Sequence, residues 1–343
     1  MTIINLMLGA KRGGLEQAAI DYAEALALAQ RAHVSMVPPG SWVEPQLQQL
    51  GLPVLPLTQH GGWDVLAAWR LRRTLKRLGA SAVICHGNRA LSLALRARVA
   101  GVPVIAVAHN YKTRRFARAD ACFAITEHAQ AQLAQAMPAA RVFHLPNMVR
   151  LHDAPPRHAR HTPPVIGSMG RFVAKKGFAL LIEAFALLKD RNVAFRGIIA
   201  GGGEEEAALR AALTRHGLDD CVTVGGWVHD KDAFYRRIDL FALPSHHEPF
   251  GIVLIEAMAA GLPVVATESE GPREILQHGQ TGLLSPLGDA AALADAMAAA
   301  LADAPLAAQL AHAGQASVRA RYSPQAMADR LSAALDCVVP TGN

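Results

Sequence analysis

SAVICHGNRALSLALRARVAGVPVIAVAH, residues 81–109, carries the pattern that decides the fold: a short apolar run, an Ala/Leu-rich segment of helical period, and a second apolar run. Neither run alternates apolar with polar residues, which is how strands buried on both faces read. The segment between them is long enough to cross over and join parallel strands. The alternation extends outward as INLML (4–8) followed by the stretch 14–30, and as ACFAITE (121–127) followed by 127–136. The first half therefore predicts a doubly wound α/β sheet.

From Pro146 to Pro164 the sequence PNMVRLHDAPPRHARHTPP has no apolar period and reads as a linker. A second α/β unit follows. Its strand-like runs are VIGSMG, FRGIIAGG, VTVGGW, LFALPS, PVVATES and TGLLSP, with helical segments near 177–189, 204–216, 251–260 and 288–302. The tail from Pro305 to Cys337 is helical by composition, and Ser323-Pro324 can open its last helix as N-cap and first residue. Two open α/β sheets joined in this way can face each other across a cleft, with ligands at the carboxyl edges of the strands.

Composition agrees. With 343 residues, 51% hydrophobic and 18% charged, the chain can fill two cores, which excludes disorder, collagen and coiled coil. The four cysteines, Cys85, Cys122, Cys221 and Cys337, form no CxxC pair, so neither a zinc knuckle nor a disulfide framework is expected and a reducing cytoplasm fits. In MTIINLMLGAKRGG the charges follow the apolar run, unlike a signal peptide, and no run of 18 uncharged apolar residues occurs. A net charge of +6 suits phosphorylated or anionic partners.

GAKRGG (9–14) lies between the first strand and a helix, where backbone amides can hold an anion or simply turn the chain. Leu15 and Glu16 stand where a P-loop needs Lys and Ser or Thr, and the GxGxxG fingerprint fails, which removes a dinucleotide-dependent dehydrogenase. GGGEEE (201–206) is read as structural, its glutamates favouring a helix N-terminus and repelling phosphate. In PSHHEPFGIVLIEAMAAGLPVVATESEGPREIL (244–276), Glu248 precedes a helix opening near Gly251 and Glu256 lies within its first two turns. Both can accept hydrogen bonds from sugar or ribose hydroxyls, although Glu248 can equally be a capping acid. GSMGRFVAKKG (167–177) offers Arg171 and Lys176 as phosphate ligands on a glycine-bracketed loop. His109 ends the run VPVIAVA, as either a cleft residue or a satisfied strand end; His86 ends SAVIC in the same way. His246 and His247 lack metal-ligand spacing, and no metal site is expected.

Taken together, GRFVAKKG, SHHEPFGIVLIEAMAAGLPVV and GPREILQHGQTGLL resemble the retaining, nucleotide-sugar-dependent glycosyltransferases of family 4, which have the GT-B fold. GGLEQ, CHGNRA (85–90) and VPVIAVAHN (102–110) carry a looser resemblance in the first half. The resemblance implies an acceptor-side Rossmann-like domain at 1–148, a linker at 149–163, a nucleotide-sugar domain at 164–320 and a C-terminal helix at 321–343 packing back toward the first domain. By position it assigns Arg171 and Lys176 to the donor pyrophosphate and Glu256 to the ribose. Glu248, with the backbone of Pro249, Phe250, Gly251 and Ile252, falls to the sugar hydroxyls, His109 to the vicinity of the sugar, and Gly13 and Gly14 to the diphosphate and acceptor. Gly202, within Gly201–Gly203, falls near the base.

The implied donor is a UDP- or GDP-sugar, with no cofactor and no metal. Two basic stretches in the first half point to an anionic glycan or glycolipid acceptor, as in lipopolysaccharide or other cell-envelope polysaccharide synthesis. They are WRLRRTLKR (69–77) and HNYKTRRFAR (109–118), the latter with Lys112, Arg114, Arg115 and Arg118. With Trp69, Leu71, Leu75 and Leu78, the first reads either as a basic amphipathic helix for the cytoplasmic membrane face or as a domain helix with a solvated arginine face. Nucleic acid is disfavoured, because no reading motif or aromatic platform accompanies the charge. The competing functions are a GT-B sugar-nucleotide epimerase or donor hydrolase, and a silent sugar-nucleotide or glycan-binding subunit.

Overall fold

The computed structural model describes residues 2–11, 13–60, 64–109, 113–137, 141–151 and 161–339. Residues 152–160 of the expected linker, Lys112, and the side chains of Arg114 and Arg115 lie outside that description. The chain divides into unit 1, Met1–Met148 with Pro324–Asn343, and unit 2, Val149–Ser323.

Unit 1 runs β1 (Thr2–Met7), α1 (Gly14–Leu28), β2 (His33–Val37), α2 (Val43–Gln49), β3 (Val54–Pro56) and α3 (Val65–Arg77). It continues with β4 (Ala80–His86), α4 (Gly87–Arg96), β5 (Val104–Ala108), β6 (Ala121–Ala124), α5 (Glu127–Ala136) and β7 (Arg141–His144). The strands form one parallel sheet in the order β3-β2-β1-β4-β5-β6-β7. The apolar runs of β4 and β5 are buried, because helices cover both faces of the sheet.

Unit 2 runs β8 (Val165–Arg171), α6 (Phe178–Asp190), β9 (Arg196–Gly202), α7 (Glu206–Arg215), β10 (Val222–Val224), α8 (Lys231–Arg236) and β11 (Leu240–Leu243). Then come α9 (Ile252–Ala259), β12 (Val264–Thr267), α10 (Glu270–Ile275), β13 (Leu283–Ser285), α11 (Ala290–Ala302) and α12 (Ala304–Tyr322). Its parallel sheet has the order β10-β9-β8-β11-β12-β13 and packs around Phe172, Phe178 and Phe185. Asp230, Asp289 and Asp303 each accept the backbone N–H three residues on, which fixes where α8, α11 and α12 begin.

The helical tail breaks at Ser323, and α13 (Pro324–Val338) belongs to unit 1. Met327, Leu331 and Leu335 pack there with Ile3, Leu26 and Ile84, and Arg31 holds Asp336 at 2.6 Å. In α3 the structure corrects one expectation. Leu71 and Leu75 are buried and Leu78 is half-buried, but Trp69 sits on the solvent face, because its helical phase differs from theirs.

Candidate functional site

In unit 2 the strand order reverses between β8 and β11: one successor strand lies to the β9 side, the other to the β12 side. The loops leaving β8 and β11 therefore part, and the gap at their carboxyl ends is where an open α/β sheet binds ligands. Arg171 is the last residue of β8 and is exposed. A single 3-10 turn, Ala174–Lys176, then carries the chain to Gly177.

Lys176 makes an ion pair and hydrogen bond with Glu248, whose side chain is only 10% exposed. Glu248 is fixed by its own backbone: its N–H donates to Glu270 at 3.3 Å, and its carbonyl accepts from Gly271 N–H at 2.8 Å. Glu270 also holds His247 Nδ1 at 2.7 Å. Burial works to raise the Glu270 carboxyl, but hydrogen bonds from its own N–H, from His247 and from Glu248 N–H hold it below the ordinary value. Glu270 is thus an ionised brace under the loop that presents Glu248.

Pro249, Phe250 and Gly251 complete that loop, and Ile252 opens α9. The Phe250 ring is buried edge-on against Tyr322 at 5.8 Å between centroids, so the backbone of this stretch, not its side chain, is what a ligand can meet. Glu256, one turn into α9, is engaged at both oxygens, with Lys231 Nζ at 2.5 Å and the Tyr235 hydroxyl at 3.1 Å. Burial and the nearby Glu256 charge push the Tyr235 phenol well above its usual range, so it stays a donor. A carboxylate has about four lone-pair sites, leaving Glu256 capacity for hydroxyls. Glu248 and Glu256 thus each have their own cation, Lys176 and Lys231.

The glycines at 201–203 serve close packing. A Cβ on Gly201 would overlap Gly170 O, and one on Gly203 would overlap Phe172 O. Gly202 makes room for the indole of Trp227, which is 60% exposed at the same sheet edge. Glu206 begins α7 and pairs with Arg210 at 2.9 Å, the structural role expected of GGGEEE.

In unit 1, Gly13 is the extended N-cap residue of α1, Gly14 is its first residue, and the Glu16 carboxylate lies against Gly9 and Gly13. His86 Nε2 and Asn5 Oδ1 are 2.8 Å apart, while Asn5 Nδ2 donates to Ala19 O and Ser35 Oγ. That pattern makes Nε2 the protonated nitrogen of His86. His109 follows β5 with its ring centroid 6.0 Å from that of His86, and its Nε2 is buried with no partner among the described residues. Burial brings the His109 imidazole down to about 4; burial, then the neighbouring His109, hold His86 well below its ordinary value.

Both imidazoles bind protons more weakly folded than unfolded. The stability that His109 contributes is complete above the unfolded value near 6.5 and is lost as pH falls toward about 4. His109→Gln should therefore flatten the loss of unfolding free energy between those pH values by about 2 kcal/mol, measured by urea titration at several pH values. An unchanged slope would contradict the buried neutral state.

Sequence reasoning singled out Arg171, Lys176, Glu248 and Glu256 but missed Lys231, Tyr235, Glu270 and Trp227. Local signals mark two of them, Lys231 and Glu270, as loop-edge residues. Asp230 in GGWVHDKDAFY is a helix N-cap that places Lys231 at a loop edge, and Glu270 opens the GPRE turn.

A family model described as Glycosyl transferases group 1 matches residues 152–317, and one described as Glycosyltransferase Family 4 matches residues 12–153. The chain belongs to glycosyltransferase family 4. This family 4 chain is 39% identical over 166 residues to the lipopolysaccharide core biosynthesis glycosyltransferase LpsE of Rhizobium meliloti (strain 1021), covering 48% of each. It is 27% identical over 333 residues to the alpha-D-kanosaminyltransferase of Streptomyces kanamyceticus, covering 82% of this chain and 86% of that protein. The match spans 36% to 54% of the length of the first three curated relatives. The crystal structure of Anabaena Alr3699/HepE in complex with UDP superposes with a TM-score of 0.83 over 98% of this chain and all of that one, at 22% identity. That likeness establishes the GT-B fold.

Proposed function

We propose that this family 4 chain is a retaining glycosyltransferase. It moves a sugar from a UDP- or GDP-sugar to a hydroxyl of an anionic glycan or glycolipid in lipopolysaccharide or other cell-envelope polysaccharide synthesis, without a metal. The observation that carries the reading is the Lys176–Glu248 pair at the β8/β11 reversal point, where β8 ends in the exposed Arg171. Two cations and a nearly buried carboxylate suit the charge and the hydroxyls of a diphosphate-linked sugar. LpsE, whose name places it in lipopolysaccharide core biosynthesis, supports the acceptor class. Free cysteines, among them the exposed Cys337, fit a reducing cytoplasmic location.

In this reading Arg171 and Lys176 bind the donor diphosphate, Glu256 the ribose, and Glu248 with the 249–252 backbone the sugar hydroxyls. As the anomeric C–O bond breaks, negative charge grows on the diphosphate oxygens and Arg171 and Lys176 stabilise it. The acceptor oxygen bonds to the anomeric carbon from the face being vacated, and its proton passes to the departing diphosphate. Within unit 1, His109, neutral at pH 7, is the residue that the family 4 resemblance assigns to the sugar, and Gly13 with Gly14 those it assigns to diphosphate and acceptor.

Trp227 is the platform for the nucleobase, its exposed indole supplying a π-face next to Gly202. Trp227→Ala should raise the donor KM about tenfold with kcat little changed, as loss of about one stacked base requires. A fall in kcat at constant KM would contradict that role. The function itself is tested by proton NMR of the products from an α-linked donor and a lipopolysaccharide-core oligosaccharide. The expected result is an α-linked product with release of nucleoside diphosphate. Free sugar alone, or an epimerised donor, would overturn it.

A further inference from the structure

Helix α3 divides into two faces. Ala67, Ala68, Leu71 and Leu75 are buried in unit 1. The opposite face carries Val65, Leu66 and Trp69, exposed by 75%, 66% and 57%, followed by the exposed cations Arg70, Arg72, Arg73, Lys76 and Arg77. Such a concentration of large exposed apolar side chains within five residues is not random scatter: it makes up three of the seven on the described surface. From Val65 to Arg77 there is no acid, and Asp64, the nearest, is committed to capping the helix through Ala67 N–H at 2.8 Å. The Arg73 guanidinium lies over the Trp69 ring at 5.6 Å, joining the apolar and the cationic parts of the face.

An apolar end and a cationic end on one helix face match the two layers of an anionic bilayer surface. Val65, Leu66 and Trp69 suit the boundary between headgroups and acyl chains, and the guanidinium and ammonium groups suit the lipid phosphates. An acidic protein would satisfy the cations but leave the aliphatic pair and the indole without a matching layer. No single helix among the described residues is long and apolar enough to cross a membrane, so contact through α3 would be peripheral.

We propose that the solvent face of α3 docks this chain on an anionic lipid surface, with Val65, Leu66 and Trp69 entering the bilayer and Arg70, Arg73 and Arg77 meeting headgroup phosphates. The proposal is independent of the transfer chemistry, and its test reads no activity. The full chain is sedimented with vesicles of phosphatidylcholine alone and of phosphatidylcholine containing about one third phosphatidylglycerol. Binding to the anionic vesicles is expected to be at least about tenfold stronger and to weaken toward the neutral level in 1 M salt.

Leu66→Glu/Trp69→Glu should lower it about tenfold or more, and Arg70→Gln/Arg73→Gln/Arg77→Gln should bring it near the neutral level. All five side chains are exposed, so melting temperatures should match the wild type and exclude misfolding as the cause. Equal binding to both vesicles, or undiminished binding by the Leu66/Trp69 double variant, would overturn the proposal. So would a dimer in sedimentation velocity that Trp69→Glu dissociates, since the face would then cover a second copy.

Discussion

Lys176→Ala should lower kcat/KM for the sugar nucleotide by roughly 10²–10³-fold, with KM raised as well as kcat lowered, because the ammonium meets the diphosphate in the bound donor and the charge that develops on it in the transition state. The same substitution should lower stability, because it leaves the nearly buried Glu248 carboxylate without its cation. Glu248→Gln should also cost a large factor in turnover, since the Lys176 ammonium loses its partner and the sugar hydroxyls lose a charged acceptor. Were Glu248 only a capping acid, turnover would survive that change. The two sites are in direct contact, so the double variant should lose less stability than the two single losses added together. Unfolding free energies of the four proteins measure this, and strict additivity would mean that the ion pair contributes no coupling.

Gly177→Ala should be among the most destabilising single substitutions in unit 2. Gly177 has φ of 66°, where a side chain costs about 1–2 kcal/mol, and a Cβ there would overlap the backbone oxygen of Pro244. Pro244 begins the loop that leads to Glu248, and neither backbone can yield without moving Lys176 or that loop. A loss on the order of 3–5 kcal/mol is expected, with a melting temperature roughly 10 °C lower. Gly14→Ala is the control: Gly14 opens α1 with nothing within 4 Å of a Cβ, so stability should change by less than about 1 kcal/mol. Similar losses at both positions would contradict the close-approach account, which differential scanning calorimetry would show.

The two sheets were legible in the sequence where strands are buried on both faces. The runs at β4 and β5 are largely apolar and buried because helices cover them, and α5 begins at Glu127 as its pattern predicted. The sheet margins were less legible, for a physical reason. β3 has three residues, none of them buried, and β7, Arg141–His144, is half-exposed, so neither yields an apolar run.

The candidate site divides in the same way. Arg171, Lys176, Glu248 and Glu256 sit in segments whose local sequence marks loop and helix end. Lys231 and Tyr235 reach Glu256 from 25 and 21 residues away, and Glu270 reaches Glu248 N–H from 22. Those partners depend on how α8 and α10 pack after β10 and β12, which no local pattern states. In α3 the periodicity located the helix, and helical phase separates Trp69 from Leu71 and Leu75, as their exposures show.

The most direct test of the central claim is a melting-temperature panel with UDP-, GDP- and ADP-sugars in the presence of EDTA, on the wild type and on Lys176→Ala. Ligands that bind only the native state raise its melting temperature. The account predicts a rise with UDP- or GDP-sugars that survives EDTA and disappears in the variant. A wild type that no sugar nucleotide stabilises, or a rise that EDTA abolishes, would contradict a metal-free diphosphate site built on Lys176.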